Sequence, residues 1–227
     1  MAKALVLLSG GVDSAVCLFQ AVRAPGPMEV TALTFDWGQL SFAQEREAAE
    51  TLAATAGIAP PLIVRIEFPY GGPLTEEKEA IPLDRTVQEI ETDDGAAPTF
   101  FPGRNLVMLA YAFGLASVGG ALSIYFGANA LDFNGYPDCR PDFIAAIEAA
   151  GNMALDGPRI EVVAPLINMS KAEIVAMGEE LGVPWKLTFS CYAPIDGKPC
   201  GRCDSCTLRR NAFIEAGQGS SLGMWGV

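Results

Sequence analysis

Five runs rich in Val, Ile and Leu recur along the chain: KALVLLS (3–9), MEVTALTF (28–35), PLIVRIEF (61–68), ALSIYFGA (121–128) and IEVVAPL (160–166). They are apolar almost throughout, without the polar alternation of a half-exposed strand, which is the pattern of strands covered on both faces. Helical periodicity fills the intervals 13–24, 39–57, 104–118, 141–155 and 170–181. The alternation predicts an α/β fold, a doubly wound parallel five-stranded sheet with helices on both faces. Ligands of such sheets bind beyond the carboxyl ends of the strands, so the segments that follow each strand deserve the closest reading.

One interval breaks the rhythm. Residues 69–103 are rich in Pro, Gly and acidic residues and predict neither helix nor strand. A structureless stretch longer than about 15 residues is uncommon inside a compact domain, so this one reads as a mobile acidic insert or as a lid over a substrate. The expected organisation is a nucleotide-binding α/β domain over 1–187 and a small C-terminal element over 188–227.

Two stretches carry recognisable chemistry. LSGGVDS, Leu8 to Ser14, follows the first predicted strand and opens the first predicted helix. Its glycines allow a tight turn and close backbone approach, and the free N–H groups and positive dipole end of a helix attract anions. It has neither the Gly-Lys-Ser/Thr ending of a Walker loop nor GxGxxG. Alone, it reads equally as an ordinary strand-to-helix turn, with Asp13 placed where helix dipoles favour carboxylates. The second stretch is SCYAPIDGKPCGRCDSC, in which Cys191, Cys200, Cys203 and Cys206 have C-x8-C-x2-C-x2-C spacing. Four thiolates so close together suit a closed tetrahedral Zn²⁺ site, and an iron-sulfur cluster is the alternative. The remaining thiols, Cys17 and Cys139, read as packed side chains.

Composition narrows the chemistry further. The 15 Lys and Arg against 27 Asp and Glu give a net charge of -12, which argues against tight binding of nucleic acid. Histidine is absent, so Ser-His-Asp and Cys-His systems are excluded. No apolar run approaches the roughly 18 residues of a membrane span, and the first residues do not resemble a signal peptide, so a cytoplasmic protein is expected.

SGGVDS resembles the pyrophosphate loop (PP-loop) of enzymes that split ATP into AMP and pyrophosphate to adenylate an oxygen of their substrate. With FDWGQ (35–39), FPGRN (101–105), GYPDCRPDF (135–143), PLINMSKAEIV (165–175), CGRCDSC and RRNAF (209–213), the chain resembles the 7-cyano-7-deazaguanine synthase (QueC) family, which serves queuosine and deazaguanine biosynthesis. The resemblance implies the PP-loop, adenine nucleotide alpha hydrolase-like fold. It implies an ATP-dependent ligase that turns 7-carboxy-7-deazaguanine and ammonia into the nitrile, with Mg²⁺ beside the ATP, one structural Zn²⁺ and a homodimer.

By position, the resemblance implies ATP contacts for Leu8, Ser9, Gly10, Gly11, Val12, Asp13 and Ser14. Asp13, Lys171 and Arg104 are the implied catalytic residues, and Phe133, Tyr136, Asp138 and Arg140 the implied substrate contacts. Ser170 and Glu173 have capping-box spacing, which puts Lys171 in the first turn of a helix. The chain departs from the family pattern at Trp37, at Leu40–Ser41–Phe42 and in the closing GQGSSLGMWGV. Those departures motivate a second reading: an adenylating enzyme that passes the deazaguanine acyl group to another amine, including one on a protein, as in bacterial defence paralogs.

Overall fold

A computed structural model describes residues 3–24, 29–76, 81–93 and 95–225, without the side chains of 133, 134 and 223–225. The five expected strands form one parallel sheet: β1 (Ala4–Leu7), β2 (Val30–Asp36), β3 (Leu62–Arg65), β4 (Ser123–Tyr125) and β5 (Glu161–Val163), in the order β3-β2-β1-β4-β5. The predicted start of the second strand, Met28, lies outside the described residues. The strands are shorter than the apolar runs because several of those runs continue into the loops above the sheet. β1 is central, its Ala4–Leu7 backbone in register with Val30–Leu33 on one side and its Ala4–Val6 with Ser123–Tyr125 on the other. That position explains a strand without polar residues: Leu5 and Val6 are at most 2% exposed.

The helices α1 (Val12–Arg23), α2 (Phe42–Thr55), α3 (Val87–Glu91), α4 (Arg104–Gly119), α5 (Asp132–Gly135), α6 (Pro141–Met153), α7 (Lys171–Leu181) and α8 (Asp204–Glu215) complete the layers. α1 packs against α2 and α7, α7 against α8, and α4 against α6. Parallel strands need such crossovers, and the winding reverses between β1 and β4, which opens a crevice above their carboxyl ends.

The insert is more ordered than its composition suggested. Thr86 caps α3 through its side chain, accepting from the Glu89 N–H, while the Glu89 carboxylate accepts from the Thr86 N–H. This capping box is written in the sequence as TVQE. Leu83 forms an antiparallel bridge with Cys203, and Arg85 and Asp84 pair with Asp204 and Arg202 of the C-terminal element. Asp84 and Asp93 are thus answered by arginines, and residues 83–85 are laid along the four-cysteine element.

Candidate functional site

The crevice at the winding reversal is a cleft of about 360 Å³. Its floor is the β1–α1 turn. Gly10 has φ +82°, and a Cβ there would stand 2.6 Å from the Glu45 carbonyl oxygen and 2.8 Å from the Ala48 Cβ. Glycine is therefore required twice, for the left-handed backbone and for contact with α2. We expect Gly10→Ala to destabilise the protein by roughly 2–4 kcal/mol, read as a lower denaturant midpoint. α1 starts after Gly11, which has no side chain to cap the helix end, and the residues of that end line the cleft.

Leu8, Ser9, Gly11, Val12, Asp13 and Ser14 line the cleft, whereas Gly10 shapes the turn from behind. Ser9 and Ser14 share a hydroxyl hydrogen bond of 3.1 Å. Gly127, after β4, brings the opposite wall close: a Cβ there would lie 3.3 Å from the Asp13 Cβ.

The expected capping box, Ser170 with Glu173, starts α7 and sets Lys171 in its first turn. Lys171 Nζ donates to Asp13 Oδ2 at 2.8 Å, with the two side chains 22% and 27% exposed. Burial alone would lower the Lys171 pKa, but Asp13 and Asp132 outweigh it and hold the ammonium charged. Asp13 Oδ1 is buried and has no hydrogen-bond partner. A carboxylate oxygen without a partner at a helix N-terminus could hold a divalent cation beside a phosphate.

Arg104 opens α4 and stacks its guanidinium over Trp37, 5.1 Å from the ring centroid. Trp37 is fixed through FDWGQ: Gln39 Oε1 accepts from the Trp37 N–H, and Gln39 Nε2 donates to the Phe35 carbonyl and to Glu45 Oε2. Ser41, in the departing LSF stretch, donates to Glu45 Oε1 at 2.6 Å. Burial pushes the Glu45 carboxyl up, with those two hydrogen bonds and Arg104 opposing. Trp37 also stands edge-on to Phe101 at 5.1 Å. These contacts hold the arginine fork over the cleft.

The expected substrate contacts divide. Tyr136 lines the cleft, shares a 2.6 Å hydrogen bond with Thr99, and has its phenol pushed up chiefly by burial. Asp138 and Arg140 are not part of the cleft lining. Asp138 is buried and works on the backbone, its Oδ2 accepting from the Asn105 N–H at 3.1 Å in the first turn of α4. A carboxylate there satisfies an orphan helix donor and complements the dipole one residue after Arg104. Arg140 is exposed at the N-cap of α6. The Phe133 side chain lies outside the described residues.

Residues that motif reading passed over complete the walls. Asp132 lines the cleft, and its Oδ2 accepts from Asn129 Nδ2 at 2.6 Å. Arg209 of α8, 4% exposed, donates to Thr188 Oγ1, the Trp185 carbonyl and Ser190 Oγ. Burial draws its pKa down to about 9, still charged at neutral pH. The segment it holds reaches the PP-loop, where the Phe189 N–H donates to the Gly10 carbonyl at 2.8 Å. RRNAF and LDFNG carried these residues in plain view, but no spacing rule says which side chain of a loop turns inward.

Cys191, Cys200, Cys203 and Cys206 gather with all four Sγ atoms within 4.8 Å of one another. The neighbouring pairs lie at 3.5, 3.5, 3.9 and 4.0 Å. A disulfide would need about 2.05 Å. A tetrahedron with metal–sulfur bonds of ~2.3 Å has edges of about 3.8 Å. The N–H groups of Cys200, Arg202 and Cys203 point at sulfur, as they do toward thiolates. The donor set and its spacing fit a metal ion held by four thiolates.

Comparison with known proteins agrees with this geometry. A family model described as "Queuosine biosynthesis protein QueC" matches residues 3–217. A protein of Nostoc punctiforme named 7-cyano-7-deazaguanine synthase is 43% identical over 221 residues, covering 95% of this chain and 96% of its own. One of the same name from Solidesulfovibrio magneticus is 45% identical over 222 residues, covering 95% and 92%. Among solved structures, NMN synthetase from Francisella tularensis superposes with a TM-score of 0.51 at 19% identity, over 99% of this chain and 83% of that one, and so shares the fold. With the PP-loop, the four-cysteine cluster and the sequence matched almost end to end, the chain belongs to the QueC family of queuosine biosynthesis proteins.

Proposed function

We propose that this protein is an ATP-dependent carbon–nitrogen ligase that converts 7-carboxy-7-deazaguanine and ammonia to 7-cyano-7-deazaguanine. The observation that carries the reading is the pairing at the PP-loop: an unpartnered buried Asp13 oxygen and the Lys171 ammonium at the uncapped start of α1. A carboxylate does not condense with ammonia, because oxide would have to leave. Transfer of AMP to that carboxylate gives a good leaving group, ammonia yields the amide, and a second adenylation, on the amide oxygen, allows elimination to the nitrile.

In this reading the loop Leu8–Ser14 holds the ATP phosphates, Asp13 holds Mg²⁺ and Lys171 neutralises the phosphoryl charge. Such transfers depend on positioning and charge and need no histidine. Arg104 offers a planar fork to the substrate carboxylate or the α-phosphate. Tyr136 faces the deazaguanine end, while Asp138 serves by holding α4. The four cysteines hold Zn²⁺, a closed site that orders the C-terminal element over 188–227.

The curated relatives cited above carry the nitrile synthase name, which favours ammonia over a larger amine as the acceptor. The charge of -12 supports small molecules rather than nucleic acid as partners. No helix among the described residues is long and apolar enough to cross a membrane, in keeping with work in the cytoplasm. Exposed Leu106, Val107, Tyr111 and Val118 on α4, with Leu62 and Ile63 on the edge strand β3, supply apolar surface for a homodimer.

Incubation with ATP, Mg²⁺, ammonium and 7-carboxy-7-deazaguanine should give the nitrile by mass spectrometry, with two AMP formed per nitrile and the amide appearing first. AMP without nitrile or amide would overturn the assignment.

A further inference from the structure

Resting on that reading, we propose that Asp132 is the catalytic base that takes a proton from ammonium and so supplies ammonia to the acyl adenylate. At neutral pH nearly all ammonia is ammonium, which has no electron pair to attack with. The chain has no histidine to take the proton, so a side-chain base at the cleft has to be of another type.

Among the described residues, the carboxylates lining the cleft are Asp13, Glu45, Glu91, Asp93, Asp132 and Asp204. Both oxygens of Glu45 are held, by Gln39 and Ser41, and both oxygens of Asp204 are held by Arg85. Asp93 is paired with Arg85 at 2.6 Å, and Glu91 is exposed on the insert. Asp13 stands at the phosphate end, bound to Lys171. Among the described residues, Asp132 accepts from the Asn129 N–H and Nδ2, both on Oδ2, and no arginine or lysine holds it in an ion pair.

Its place in the fold suits the task. The PP-loop follows β1 and Asp132 follows β4, the neighbouring strand across the winding reversal. A substrate acyl group adenylated above the PP-loop therefore has Asp132 on the facing wall. Asn129, with no exposed surface, fixes the carboxylate. Burial raises the Asp132 pKa to about 6, with Lys171 and Arg104 opposing and Asp13 adding to the rise. The group is ionised at neutral pH and still basic enough to accept a proton.

An ammonium N–H bond breaks and its proton passes to Asp132; the nitrogen pair forms a bond to the acyl carbon. The bond from that carbon to the adenylate oxygen breaks, AMP leaves with the pair, and the nitrogen sheds a second proton to water, giving the amide.

The test uses Asp132→Asn in the full chain. ATP–pyrophosphate exchange driven by 7-carboxy-7-deazaguanine should fall by far less than amide formation, the remaining loss reflecting the charge removed beside Lys171, and an unshifted thermal melt reports an intact fold. Amide formation from ammonium should fall by about 100-fold or more. Hydroxylamine, uncharged at neutral pH, should trap the acyl adenylate as the hydroxamate at close to the wild-type rate. Equal losses of exchange and amide, or of hydroxamate and amide, would overturn the assignment. Exchange absent from the wild-type protein would sink the ligase reading itself, and this assignment with it.

Discussion

Asp13→Asn abolishes adenylation while leaving the fold in place. The substitution keeps the shape of the side chain and removes its charge, so Lys171 loses its 2.8 Å partner and the buried Oδ1 site loses its attraction for a divalent cation. Loss of one charge aimed at the transferring group is expected to slow ATP–pyrophosphate exchange by at least about 100-fold. The folded protein should hardly notice. The pair is partly exposed, and such pairs contribute on the order of 1 kcal/mol or less to stability. Thermal melting therefore separates the roles. Without nucleotide the variant should melt within a few degrees of wild type. With Mg²⁺ and ATP at about 100 times the dissociation constant, the wild-type protein gains ~2.7 kcal/mol and the variant does not. A variant that gains the same shift would show that Asp13 does not hold the metal, and undiminished exchange would remove the loop from the reaction.

The separation of fold from site also explains what could be read in advance. Strand and helix order followed from period and burial, because the core faces of β1 and α1 are written as local patterns. The four cysteines were legible because metal ligands repeat at short spacing, and Lys171 because Ser170 and Glu173 mark the helix start around it. The capping box of α3 was equally legible, but it was obscured by prolines and acids on either side. Asp138 shows the limit. Its sequence neighbours make it look like a ligand contact; in the fold one carboxylate oxygen accepts from the Asn105 N–H, 33 residues away, and the other is buried with no partner among the described residues. Only tertiary approach decides between those roles. The same holds for Arg209, whose partners Trp185, Thr188 and Ser190 come from packing and not from spacing.

Loss of the metal loosens the insert and the nucleotide loop together. α8 begins directly after Cys203, and four consecutive residues divide the work: Cys203 and Cys206 supply sulfur, Asp204 holds Arg85 at 2.9 Å, and Ser205 donates to the Ser190 carbonyl. One turn later Arg209 holds Thr188 and Ser190, beside the Phe189 N–H that reaches Gly10. Four thiolates this close cannot stay ionised together without a cation, and structural zinc sites of this type contribute roughly 10–16 kcal/mol of apparent binding energy in small domains. Cys203→Ser, or stripping with a strong chelator, should therefore release Arg85 and Arg202 from their partners and expose the insert. Limited proteolysis should then cut within residues 69–103 at least tenfold faster. The fluorescence of Trp185, buried against Phe213 with ring centroids 5.2 Å apart, should shift to the red. Elemental analysis of the intact protein should give one zinc per chain and no visible absorption; a brown protein with labile sulfide would assign the thiolates to an iron-sulfur cluster. Unchanged cleavage and fluorescence after complete metal removal would mean that packing of α8 on α7 holds the element without help. The insert would then be fastened by the arginine pairs and the Leu83–Cys203 bridge, and Arg85→Ala should loosen it even with the metal in place.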